Sequence, residues 1–76
     1  MSKKNSIAKE LHNLEEEMKN LESKRSRSMA VILEALVSRV EPDAQDLQFF
    51  RTYTAEVELK REQIQKLTKE LENMLK

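Results

Sequence analysis

A chain of 76 residues can build one small domain, and this one is formally neutral, with 14 Lys and Arg against 14 Asp and Glu. It contains no cysteine and no glycine, which removes disulfides, thiolate nucleophiles, Cys-ligated zinc, P-loops and Gly-rich dinucleotide turns. Its longest purely apolar run, residues 29–33, is far short of the ~20 residues of a membrane span, and no apolar signal segment stands at its start, so a cytoplasmic or nuclear protein without membrane contact is expected.

Residues 1–5, four of them polar, are expected to form a flexible N-terminus. From residue 6 the chain is dominated by strong helix formers, and neither Gly nor Asn occurs between Leu21 and Glu72 to supply the positive φ of a hairpin turn. A first helix is predicted over about residues 6–39. Its apolar positions Ile7, Leu11, Leu14, Met18 and Leu21 are spaced four, three, four and three apart. Continued through Arg25 to Met29, Ile32, Leu36 and Val40, the stripe averages about 3.67 residues per step, near the period of a straight helix. Pro42 forces its predecessor out of the helical region and defines a turn at 40–42. Asp43 can then cap a second helix over about 43–75, with Asp46 near its positive end. In that helix Phe50, Val57, Ile64 and Leu71 recur every seven residues, and Tyr53, Lys60, Leu67 and Met74 form the companion row of a heptad seam.

At ~1.5 Å per residue each helix is roughly 50 Å long. A short break between them favours antiparallel packing, so the expected fold is all-α, an antiparallel two-helix hairpin over residues 6–75. The alternative is one kinked helix that pairs with a second chain. Folding about Pro42 sets Leu14 near Leu71 and brings Arg25 level with Leu59 and Lys60, so that Arg25 and Lys60 share a polar layer in the seam. Around the distal end, Glu15 with Lys19, Glu56 with Lys60 and Glu62 with Lys66 are spaced for surface ion pairs.

Close to the turn the pattern changes. Nine of the twelve residues 29–40 are apolar: Met29, Ala30, Val31, Ile32, Leu33, Ala35, Leu36, Val37 and Val40. Leu47, Phe49, Phe50 and Tyr53 lie opposite them. A helix that is apolar around most of its circumference needs cover around most of it, and a hairpin hides one stripe per helix. Together, Met29, Val31, Ile32, Leu33, Ala35, Leu36, Val37, Val40, Leu47, Phe49, Phe50 and Tyr53 therefore form a candidate protein interface. Val31, Ala35, Val37 and Phe49 are the positions most in need of an outside partner.

Residues with catalytic potential are few. His12 is the only histidine and falls on the charged end of the first helix. Glu15, Glu16 and Glu17 are consecutive, so on a helix they point about 100° apart and cannot converge on one ion. Some all-helical enzymes, the small chorismate mutases among them, bind anionic substrates through Arg and Lys inside a bundle. Arg25 and Lys60 could serve that purpose, but two helices do not close a pocket, and their long stems are better read as covering apolar surface. The segment holding Lys24, Arg25 and Arg27 is a possible nucleic-acid patch. A neutral protein lacks the global attraction such binding needs, and no aromatic residues interleave with these cations for base stacking. Ser26 and Ser28 stand among basic residues as kinase substrates often do.

The expected function is therefore non-catalytic protein–protein association, with no metal, cofactor or small-molecule substrate. The partner is a second copy, giving a homodimeric four-helix bundle, or another helical protein. In length and helix layout, though through no particular motif, the chain resembles the small helical-hairpin co-chaperones of type III secretion systems, which implies an adaptor or co-chaperone as one form of that reading. A nucleic-acid-binding bundle is the alternative from another class.

Overall fold

The computed structural model describes residues 2–76. Two helices, α1 over Lys3–Val37 and α2 over Ala44–Met74, account for 35 and 31 residues. They pack antiparallel along their length, giving a rod of 55 × 16 × 16 Å. The structure is thus the expected all-α hairpin, with one chain supplying both helices. Among the described residues no helix is long and apolar enough to cross a membrane.

α1 begins earlier than its apolar stripe suggests. The Ser2 hydroxyl accepts a hydrogen bond from the Asn5 amide at 3.2 Å, satisfying one of the free donors of the first turn. Residues 3–5, expected in a flexible segment, are that first turn. Met1 lies outside the described residues.

α1 also ends earlier, at Val37 rather than Arg39. The Arg39 amide donates to the Leu36 carbonyl at 3.0 Å and the Val40 amide to the Ala35 carbonyl at 2.8 Å. Those two bonds make a Schellman cap, whose residue after the C-cap must be left-handed. Arg39 takes that role with φ of 59°. Pro42 therefore stands beyond an end already formed by hydrogen bonding. Asp43 caps α2 as expected, its carboxylate accepting from the Gln45 amide at 2.8 Å, with Asp46 in the first turn.

The earlier stop lengthens the connection to residues 38–43, with its midpoint between Val40 and Glu41. The register moves with it. Leu14 lines a groove with Leu67, Leu21 with Lys60, and Met29 with Phe50. Counting from Pro42 placed Leu14 against Leu71, about one helical turn away.

The seam of α2 follows the predicted heptads, with Val57 fully buried and Phe50, Tyr53, Lys60, Ile64, Leu67 and Leu71 half-buried; Met74 lies at the exposed end. The seam of α1 departs from the near-straight stripe. Ile7, Leu14 and Ile32 are buried, and Leu11, Met18, Leu21, Arg25, Ser28 and Ala35 are half-buried. Those positions keep alternating steps of four and three, the 3.5-residue period of a left-handed supercoil. Leu36 and Val40, assigned to the seam by the longer period, are exposed.

Candidate interaction surface

The change of period at the turn end shapes the surface. The seam positions of α1 there are the small residues Ser28 and Ala35 around the one larger member, Ile32. The bulky apolar side chains fall beside the seam. Met29, Leu33 and Leu36 follow one another at steps of four and three, which sets a second stripe roughly 100° round the helix from the first, and Val40 stands just beyond the end of α1. Met29 is half-buried, whereas Leu33, Leu36 and Val40 each expose more than half of their surface and Val37 exposes 82%. Val31 is exposed on the opposite flank. On α2, Phe49 is exposed and stacks on Tyr53 one turn later, with ring centroids 6.3 Å apart.

Of the residues assigned to the interface from sequence, Ile32 belongs to the core of the hairpin itself. Its burial reaches 92% of its surface only because both neighbours in its seam are small, leaving its side chain to fill the gap between the helices; the relative exposure is 8%. Ala35, Leu47, Phe50 and Tyr53 are half-buried. Val31, Leu33, Leu36, Val37, Val40 and Phe49 are the open part of the collar. They fall on two flanks: Leu33 and Leu36 on that of Met29, and Val31 and Phe49 on the one that carries Glu17 and Gln63 further along the rod, from which they are two heptads away.

Charge is distributed in the opposite sense. Four ion pairs occur among the described residues: Lys3 with Glu70, Lys19 with Glu16, Lys60 with Glu17, and Arg61 with Glu58. All lie in the part of the rod away from the turn. Lys19 and Lys60 choose other partners than the spacing suggested, because Glu16 lies three residues from Lys19 on the same helix face and Glu17 faces Lys60 across the seam. The Lys60–Glu17 contact is the shortest of those with a normal length, at 2.7 Å. Near the turn, Arg25, Arg39, Glu41 and Asp46 have no ion-pair partner among the described residues.

Arg25 and Lys60 are both half-buried seam residues, but they do not share a layer. Lys60 lines a groove with Glu17, Asn20, Leu21 and Lys24, while Arg25 lines a different one with Ser26, Met29 and Phe50. The shifted register separates them by more than one turn. Lys24 and Arg27 are exposed and, three residues apart, share one face of the helix, whereas half-buried Arg25 points about 100° from the first and about 160° from the second, so the basic face holds two of the three cations.

One feature escaped the sequence reading. Glu10, Glu17, Gln63 and Glu70 recur at heptad spacing on the same flank of the two helices and, with Lys60 and Lys66, border an open groove of about 530 Å³. The seven-residue repeat of these polar positions was the available signal. The ammonium groups interleave with the carboxylates, and no group of three metal-capable His, Asp or Glu side chains converges among the described residues. His12 and Glu15, Glu16 and Glu17 are exposed, and Glu16 and Glu17 point to different lysines.

Compared with protein-family models, curated proteins and solved structures, the chain matches none.

Proposed function

We propose that this protein is a non-catalytic association module whose turn-end collar packs against an apolar surface of another chain, with self-association as its first mode. The observation that carries the reading is the crowding of exposed Val31, Leu33, Leu36, Val37, Val40 and Phe49 at the turn end of a rod whose ion pairs all lie along the rest of its length. Apolar side chains gathered in this way lower the free energy when they leave water together, and depletion of charge at the centre of such a patch is the mark of an interface core. An adaptor or co-chaperone covered by a partner's helix uses the same surface and is the second form of this reading.

Sedimentation equilibrium over a concentration series tests it. The parent is expected to associate at tens of micromolar. Val37→Glu and Phe49→Glu each bury an unpaired charge on association and are expected to abolish it. Asn13→Glu and Gln65→Glu, on exposed positions away from the collar, serve as controls. If Val37→Glu and Phe49→Glu sediment like the parent at every concentration, the collar takes no part in association and the reading fails.

A further inference from the structure

Below the collar, on the same side of α1, lies a groove of about 320 Å³ lined by Arg25, Ser26, Met29 and Phe50. It offers an apolar floor and one half-buried guanidinium with no carboxylate of its own chain as a partner. A fitting occupant is an apolar side chain followed by a carboxylate. The tip of this hairpin presents that pair: exposed Val40, then exposed Glu41, which also lacks an ion-pair partner, both displayed by the left-handed turn at Arg39.

We propose that a second copy of this chain covers the collar, antiparallel and offset, so that the turn of each hairpin seats in the Arg25 groove of the other. Val40 then packs on Met29 and Phe50, and the Glu41 carboxylate meets the Arg25 guanidinium. This rests on the collar being an association surface and adds its occupant and geometry.

Three features single out a second copy in this arrangement. A two-fold interface requires that one surface carry both halves of each contact, equally spaced from the axis. With the axis at Leu33, near the middle of the exposed stripe, Arg25 lies ~12 Å to one side along α1 and the tip that carries Val40 and Glu41 lies to the other, just past the end of α1 at Val37 and within reach of a long guanidinium side chain. Second, the groove and the collar share a face, since Arg25, Ser26 and Met29 fall within about 60° of the line through Leu33 and Leu36 at 100° per residue. Third, the alternatives waste one term or the other. Parallel packing lays collar on collar but sets Glu41 beside Glu41 and Arg25 beside Arg25. Antiparallel packing along the full 55 Å places each collar on the charged distal half of its partner. The offset arrangement alone joins apolar to apolar and acid to base.

It also fixes a length. α1 runs ~6 Å past Leu33 and the connection adds about 4 Å, so each tip reaches ~10 Å past the axis and the dimer should span ~90 Å, against about 55 Å for either fully overlapped packing. Small-angle scattering on the parent measures that length without any substitution. Charge exchange tests the contact. Arg25→Glu and Glu41→Arg are each expected to raise the dimer dissociation constant roughly tenfold or more, because the symmetry sets two like-charge pairs against each other. An equimolar mixture of the two variants restores opposite charges at both contacts and should associate like the parent. Circular dichroism checks that both remain helical. Arg25→Gln, which removes charge while keeping a long polar stem, covers the case in which Arg25→Glu weakens the seam, and should raise the constant several-fold.

A dimer that is lost on Leu36→Glu but measures 55 Å, or charge variants that fail to rescue each other, overturns the arrangement while the collar reading stands. A parent that stays monomeric until a different protein is added overturns the second copy as occupant. Indifference of association to Leu36→Glu and Phe49→Glu alike removes both.

Discussion

Arg39→Gly should stabilise the hairpin although it deletes a long side chain and adds no contact. Arg39 occupies the left-handed region at φ of 59°, held there by the amide bonds of Arg39 to Leu36 and Val40 to Ala35. In that region the Cβ of an L-residue crowds the following carbonyl, at a cost of roughly 1–2 kcal/mol. Glycine relieves the crowding but loses ~0.5–1 kcal/mol more backbone freedom on folding. The difference leaves a net gain of about 0.5–1 kcal/mol. For a domain of this size each kcal/mol moves the melting temperature by about 4–8 °C, so the expected rise is roughly 2–8 °C. The assay is thermal unfolding followed by circular dichroism at one fixed protein concentration, since association also shifts the midpoint. Arg39→Ala removes the guanidinium and keeps the Cβ, and should melt close to the parent. Arg39→Val puts a β-branched residue at positive φ and should melt lower. If Arg39→Gly melts at or below the parent while Arg39→Ala melts above it, the side chain and not the backbone limits stability, and the strain reasoning is refuted.

Four further substitutions probe the seam and its flanks. Val57 is the only fully buried side chain among the described residues, and Val57→Ala removes two methyl groups from a core with little else, at a cost of about 2 kcal/mol readable by urea unfolding. Ser28→Leu fills a half-buried seam position and should stabilise by roughly 1–2 kcal/mol, whereas Leu36→Gln should change unfolding of the isolated hairpin by less than about 0.5 kcal/mol while weakening association. The Thr54 hydroxyl oxygen is buried with no hydrogen-bond partner, so Thr54→Val should raise stability by about 1 kcal/mol; a lower melting temperature would show that the hydroxyl is satisfied in solution.

The fold and the second helix were legible because the signals there are redundant. Every seam position of α2 from Phe50 to Leu71 except Lys60 carries a large apolar or aromatic residue, so its heptads stand out from the charged positions between them. In α1 the same reasoning fails after Leu21. The seam passes through Arg25, Ser28 and Ala35, while larger apolar residues sit one position further along at Met29 and Leu36. A reading that follows hydrophobicity drifts onto the second stripe and reports a longer period. The end of α1 was hidden for a related reason. A Schellman cap usually announces itself with glycine, and here the left-handed position is Arg39. Two residues lost there shifted the register by a turn and placed Arg25 and Lys60 in one layer. The start was concealed in the polar residues 3–5, whose helical state depends on the cap at Ser2.

The departure of α1 from the ideal heptad pattern bears on what the molecule is for. A chain shaped only by the stability of its own hairpin gains by placing Leu at 28 and 35, where each buried CH₂ is worth about 0.8 kcal/mol. This chain puts Ser and Ala there and turns Leu33, Leu36, Val37 and Val40 outward. Four buried side chains among the described residues, along a 55 Å rod, make a thin core, in a chain with no cysteine to cross-link it. Small domains with so little buried surface commonly rely on association for the remainder. The outward stripe supplies apolar surface where the seam lacks it, at the same end of the rod and beside the groove at Arg25. Covering that stripe would therefore compensate for the part of the core that is weakest, which couples folding of the turn end to association.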